Sequence, residues 1–229
     1  MNTSPGVIQD APGAAGVGRR PHLLWVNQFV HLPSDGGGTR HFEIGRELVR
    51  RGWSVTLAGS DFHLHKRHYS RRDGRDDRRI VREVVDGVEV LWLWAAPYRR
   101  NDWRRVHNWW SFSSGVKKLE GTLRPDVVVG SSPQLLAAEA AERLARRMGV
   151  PFLFEVRDLW PESLLAAGGR KGMPYRVLGQ VANRLYAAAD RIVVLARGTE
   201  DYLARQGIAR ERMVHIPNGV DMTAFDGER

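Results

Sequence analysis

The sequence predicts an α/β protein with a doubly wound parallel sheet, and two observations carry that expectation. Short apolar runs alternate with helical patterns along the chain. Most of these runs lack the period-two alternation of a strand with one wet face, so they read as strands buried on both sides. Strand–helix alternation of this kind implies right-handed crossover units and parallel pairing.

The expected strands are His22–Asn27, Ser54–Ala58, Ile80–Val85, Val88–Trp94, Asp126–Val129, Phe152–Glu155, Arg191–Leu195 and Met213–His215. Asp86–Gly87 separates two of them and is a hairpin turn signal. The helix expected over His41–Arg51 places Phe42, Gly45, Leu48 and Val49 on one face, with Gly52 as its stop. Leu135–Met148 buries Leu136, Ala140 and Leu144, and Gly149–Val150–Pro151 ends it. Tyr175–Ala189 and Gly198–Gln206 complete the pattern. Residues 1–20, rich in Gly, Ala and Pro, read as a disordered tail. Residues 21–216 read as one domain, and 217–229, opened by Pro217–Asn218–Gly219, as the start of an interdomain linker.

At 229 residues, with 42% hydrophobic and 27% charged, the chain can bury a sizeable core. It has no cysteine, which excludes disulfides and Cys-based metal sites. Its apolar runs are too short to span a bilayer, and its first residues do not form a signal peptide. A cytoplasmic location suits these features. The net charge of +9 points to an anionic partner: nucleic acid, a membrane surface or a phosphorylated substrate. Lysine occurs only at 66, 117, 118 and 171, so the other basic residues are arginine. A GC-rich genome produces the same bias, and charge alone does not choose among these partners.

Four segments can carry chemistry. Asp35–Gly36–Gly37–Gly38–Thr39–Arg40 follows the first strand and opens the first helix. Glycines there let backbone N–H groups approach a phosphate at a helix N-terminus, although a flexible tight turn needs the same residues. The segment lacks the Gly-Lys-Ser/Thr ending of a P-loop. Phe154–Ser163 sits at the C-terminal end of a strand, where doubly wound folds place ligands. Asp158, with Glu155 as the second choice, can accept a proton from a substrate hydroxyl, and Arg157 can hold a phosphate. A salt-bridged loop capped by Trp160 and Pro161 is the plainer alternative.

The third segment, Tyr98–Phe112, interleaves arginines at 99, 100, 104 and 105 with Trp103, Trp109, Trp110 and Phe112. That mixture suits an anionic membrane interface or stacking against nucleic-acid bases. The spacing of Trp103 and Trp110 also fits a stripe turned into the core. The fourth, Phe62–Arg79, carries seven Lys/Arg against three Asp and reads as a solvated loop. Histidines cluster only at 63, 65 and 68, so no metal site is expected. Gly130–Ser131–Ser132–Pro133 reads as a strand-to-helix turn with a serine cap.

Three motifs in order resemble family 4 glycosyltransferases. Gly36–Gly37–Gly38–Thr39–Arg40–His41, with Glu43, Leu48 and Arg51–Gly52, is similar to that family's opening. Ala189–Leu195 is similar to its internal Asp-containing strand, and Ile216–Pro217–Asn218–Gly219–Val220–Asp221 with Phe225 to its later signature. The resemblance covers about residues 22–225. Glu155–Pro161, together with Asn101, Arg105, Asn108 and Phe112, also resembles the acceptor-side segments of bacterial fucosamine-type transferases of O-antigen and capsule assembly. Arg157–Asp158 stands where many members carry His-Asp, so no catalytic histidine is carried over.

The resemblance implies the Rossmann-like N-terminal lobe of a two-lobed (GT-B) fold, with the C-terminal lobe absent from this chain. It implies transfer of a sugar from a nucleotide-sugar donor to a hydroxyl of a lipid-linked or saccharide acceptor, with retention and without a metal or other cofactor. Gly36, Gly37, Gly38, Arg40, Arg157, Asn101, Arg105 and Asn108 are then substrate-binding, and Asn218 and Gly219 lie at the cleft. Asp158 and Glu155 are the catalytic candidates. Expected partners are the nucleotide sugar, the acceptor, an anionic membrane surface on the inner face of the cell membrane and a separate donor-binding lobe. The alternatives are a non-catalytic lone lobe that binds an acceptor or partner, and a nucleic-acid-binding module.

Overall fold

The computed structural model describes residues 19–63, 67–72, 77–100, 102–166 and 168–219. The eight strands are β1 (His22–Val26), β2 (Ser54–Ser60), β3 (Val81–Val85), β4 (Val88–Leu93), β5 (Val127–Ser131), β6 (Phe152–Val156), β7 (Arg191–Val194) and β8 (Met213–His215). They form one sheet in the order β3-β4-β2-β1-β5-β6-β7-β8. All neighbours are parallel except the β3–β4 hairpin. That hairpin turns at Asp86 (φ 48°) and Gly87 (φ 80°), the positive pair that an Asp-Gly turn supplies. The doubly wound parallel sheet expected from the sequence is present.

The helices are α1 (Arg40–Arg50), α2 (Trp103–Val116), α3 (Leu135–Met148), α4 (Glu162–Ala166), α5 (Met173–Ala188) and α6 (Arg197–Arg205). Successive strand residues point to opposite faces, and this sorts the core in two. Leu24 and Val26 of β1 join the cluster under α2, α3, α5 and α6, whereas Leu23 and Trp25 join the cluster under α1. Gly45 permits α1 to lie close to the sheet, because a Cβ there would stand 3.2 Å from Val55. In α3 the phase differs from the expected one: Leu135 is buried and Leu136 only partly so, with Ala137, Ala138, Ala140 and Ala141 packed on β5 and its neighbours.

The chain leaves β1 toward β2 and β4, then returns to place β5 on β1's other side. The switch point of the topology therefore lies between β1 and β5, and their C-terminal ends open the crevice where such sheets bind ligands.

The segment expected as a solvated loop is partly anchored. Arg72 is buried and pairs with buried Asp61 at 2.8 Å. Arg71 binds Asp35 and Glu83 and lies 3.9 Å above the Trp92 ring. Arginine pairs that are buried and hydrogen-bonded hold a chain in place where a solvated run would not. Of the expected linker only Pro217–Gly219 is described, and the expected tail at 1–18 lies outside the described residues.

Candidate functional site

Glu155, near the end of β6, is the centre of the crevice floor. Its side chain is fully buried and accepts three side-chain donors: Arg40 Nε on Oε1 at 2.8 Å, His41 Nε2 on Oε2 at 2.9 Å and Ser131 Oγ on Oε2 at 2.6 Å. Ser131 in turn accepts from Trp25 Nε1 at 2.8 Å. Strands β1, β5 and β6 and the first turn of α1 thus meet on one carboxylate. Burial pushes the Glu155 carboxyl up, but the His41, Ser131 and Arg40 donors more than offset it and hold it at about 2.

Burial also pushes the His41 imidazole down, against the upward pull of the Glu155 bond and charge. These opposing tendencies are compatible in one state: a neutral imidazole whose Nε2–H donates to an ionised Glu155. Asn27 Nδ2 then donates to Nδ1 at 3.1 Å, which is the tautomer the network requires. The permanent positive charge beside Glu155 is that of Arg40.

The neighbouring loop is held by its backbone. Ser132 Oγ accepts from Arg157 N at 2.8 Å and Asp158 N at 3.1 Å. The serine-cap expectation is corrected accordingly: Gln134 precedes α3 and caps nothing with its side chain, while Ser132 serves the loop after β6. Asp158 is exposed and has no side-chain partner among the described residues. Arg157 is half-buried, and its Nε is buried without a hydrogen-bond partner among the described residues. Glu155 is different from Asp158. It has no exposed surface, and both its oxygens accept hydrogen bonds from protein donors.

Gly36, Gly37 and Gly38 are exposed ahead of α1. Gly36 (φ 71°) and Gly37 (φ 120°) use conformations that favour glycine, and a Cβ on Gly37 would stand 3.3 Å from the His31 ring. Gly38 has open space around it. Arg40 also donates to the carbonyls of Ile216 at 2.8 Å and Pro217 at 2.6 Å. This places the expected cleft residues Asn218 and Gly219, both exposed, beside α1, where a groove of about 540 Å³ opens.

The expected acceptor-side residues divide. Asn101 lies outside the described residues. Asn108, expected to bind substrate, is buried, accepts from Gln28 Nε2 and donates to Ala96 O, both at 2.7 Å. Arg105 is half-buried with its guanidinium 5.1 Å from the Trp109 ring. The aromatic stripe is also corrected. Trp103 and Trp110 are 68% and 61% exposed, and the core face of α2 is Asn108, Ser111, Phe112 and Val116. Seven-residue spacing fixes a common face but not which way that face points. Sequence reasoning gave His41 and Ser131 no role in the site. The Arg-His pair opening α1 was visible, but its convergence on Glu155 requires the sheet order.

A family model described as glycosyl transferase 4-like domain matches residues 35–219. The chain belongs to that family. Among curated relatives of this glycosyl transferase 4-like chain is the probable glycosyltransferase WbjE of Pseudomonas aeruginosa. It is 29% identical over 110 residues, which are 47% of this chain and 28% of the relative. Sucrose-phosphate synthase of Thermosynechococcus elongatus superposes with a TM-score of 0.62 at 16% identity, covering 90% of this chain and 49% of that one. Anabaena HepE in complex with UDP and glucose gives 0.50 at 15%, covering 89% and 46%. The glycosyl transferase 4-like chain thus spans about half the length of these structures and has the doubly wound fold of one GT-B lobe.

Proposed function

We propose that this chain is the acceptor-side lobe of a glycosyltransferase that moves a sugar from a nucleotide-sugar donor to a hydroxyl of a membrane-linked saccharide, with retention. The observation that carries this reading is the placement of Asp158. It is an exposed carboxylate on the loop after β6, a loop held by Ser132 at the end of the neighbouring β5, three residues beyond the buried Glu155. Family membership and the name of WbjE support glycosyl transfer, and the UDP in HepE supports a nucleotide leaving group.

In this reaction the bond from the anomeric carbon to the diphosphate oxygen breaks, and the nucleoside diphosphate leaves with the electron pair. The acceptor oxygen bonds to the anomeric carbon on the same face, and its proton passes to the Asp158 carboxylate. Arg157 and the N–H groups following Gly38 approach the phosphates. Glu155 positions Arg40 and His41 without touching substrate.

Substrates meet in the cleft of a two-lobed enzyme, and this chain supplies one wall of it. The assay therefore compares the chain alone with the chain joined to a donor-binding lobe. It follows nucleotide release and product configuration on a lipid-linked acceptor. Transfer only in the joined form, with the donor's configuration kept, is expected. Multiple turnovers by the chain alone, or inversion, would contradict the proposal.

The exposed Trp103, Val106 and Trp110, with Arg99, Arg100 and Arg104 nearby, support seating on an anionic membrane. No helix among the described residues is long and apolar enough to cross a bilayer, so contact through α2 would be interfacial.

A further inference from the structure

The exposed stripe of α2 runs into a cavity. Trp103, Val106 and Trp110 follow one another at helical spacing, and the next positions along the same side are Ser114 and Lys118. There the helix turns small: Ser111, Ser114 and Gly115 leave room that larger residues would fill. Gly115 sits above Leu93, whose Cβ would be 3.6 Å from an added methyl group. The result is a groove of about 210 Å³ between α2 and the end of the β3–β4 hairpin, with Ile80, Leu93, Trp94 and Trp110 as its apolar walls. It exceeds the ~150 Å³ apolar cavity that accepts a benzene ring.

Two cations border it. Arg78 is exposed and lies 4.5 Å from the Trp94 ring, and Lys118 is exposed one turn beyond Ser114. Neither has a carboxylate partner among the described residues. An apolar slot with indole walls and unneutralised cations at its rim matches a ligand with a hydrocarbon chain and a phosphate head.

We infer that this groove takes the first part of one hydrocarbon chain of an anionic phospholipid drawn from the bilayer, with the lipid phosphate held by Arg78 and Lys118. The inference rests on the membrane seating proposed above and adds a defined lipid site to it. The outer tryptophans enter the interface, and the groove beside them receives the first part of a single chain. A bound lipid then fixes the rotation of α2 on the membrane, which an interfacial stripe alone leaves loose.

The test uses the whole chain with vesicles of phosphatidylglycerol carrying a diazirine in the acyl chain. Irradiation and peptide mapping should place label around Ile80, Trp94 and Ser114. Gly115→Leu, or Ser114→Leu if the first variant does not fold by circular dichroism, should abolish that label while vesicle co-sedimentation persists. Arg78→Gln and Lys118→Gln should each lower the preference for anionic over neutral vesicles roughly fivefold. Label confined to Trp103 and Val106, which lie outside the groove, or unchanged in the filled variants, overturns the lipid site and leaves the membrane seating intact. Absence of vesicle binding overturns both. Sugar transfer to a soluble acceptor in the joined enzyme is read separately, so its failure concerns the proposed reaction alone.

Discussion

Arg40 and Glu155, 115 residues apart, are joined by a bond of 2.8 Å between Nε and Oε1 with both side chains almost entirely buried. The same guanidinium grips the carbonyls of Ile216 and Pro217. One side chain therefore ties the start of α1 to the floor of the crevice and to the segment that leaves the sheet after β8. Its planar fork can serve these directions at once, which a lysine cannot do.

Removing the carboxylate strands the donors that converge on it. Glu155→Ala leaves the Arg40 charge, the His41 N–H and the Ser131 hydroxyl without their acceptor in a closed space. Breaking a buried pair from one side costs roughly 3–5 kcal/mol. Urea unfolding of Glu155→Ala should show a loss of that order, with Arg40→Ala also destabilised. A change in Glu155→Ala within about 0.5 kcal/mol, as at an ordinary surface position, would contradict the hub.

The same cluster sets an acid limit. His41 titrates lower in the folded chain than its ordinary 6.5, so the unfolded chain binds the extra proton first. Its contribution is complete above that value and is lost as pH falls below it. Glu155 is held at about 2 against an ordinary 4.5, so its contribution is complete above 4.5 and is lost as pH falls toward 2. Stability should thus decline in two stages on acidification. Histidine NMR should show the His41 ring taking up its proton at lower pH than an ordinary imidazole. A His41 ring that is fully protonated at pH 7 while the chain stays folded would contradict this arrangement.

Much of the fold was legible because its signals are local. The Asp86–Gly87 turn and the span of α3 at Leu135–Met148 follow from residues adjacent in sequence. Residue roles were less legible, because they depend on which elements become neighbours. Asn108 looks like any polar helix residue until β1 brings Gln28 to it. Trp103 and Trp110 share a face by spacing, but only the packing of α2 on α3 and β4 turns that face outward. Asp158 and Glu155 stand as first and second candidates in the same short segment, and the pleat and the end of β6 separate a buried carboxylate from an exposed one.

The glycines ahead of α1 separate backbone need from ligand need. Gly37→Ala meets the His31 ring and an unfavourable φ, so it should be destabilised by about 1–3 kcal/mol. Gly38 has neither constraint, and Gly38→Ala should keep wild-type stability. If phosphate approaches the backbone there, Gly38→Ala, and more strongly Gly38→Val, should still lower transfer in the joined enzyme. Full activity in a folded Gly38→Val variant would leave these glycines as turn residues only.

Asp158 provides the sharpest separation of stability from chemistry. Its carboxylate has no partner to lose among the described residues, and its backbone N–H is held by Ser132 whatever the side chain. Asp158→Asn therefore leaves the loop's anchor intact, and its unfolding midpoint should match the wild type. The amide cannot take the acceptor's proton at neutral pH, and general-base removal typically lowers rate by about 10²–10⁴-fold. The loss should appear in kcat of the joined enzyme, with the acceptor KM little changed, because the amide still offers a hydrogen-bond acceptor to the hydroxyl. Glu155→Gln should behave in the opposite way: an amide keeps one acceptor oxygen for the converging donors but removes the charge facing Arg40, so stability falls before chemistry is tested. If Asp158→Asn unfolds the chain, or if it turns over at the wild-type rate, the exposed carboxylate is not the base and the proton must leave by another group.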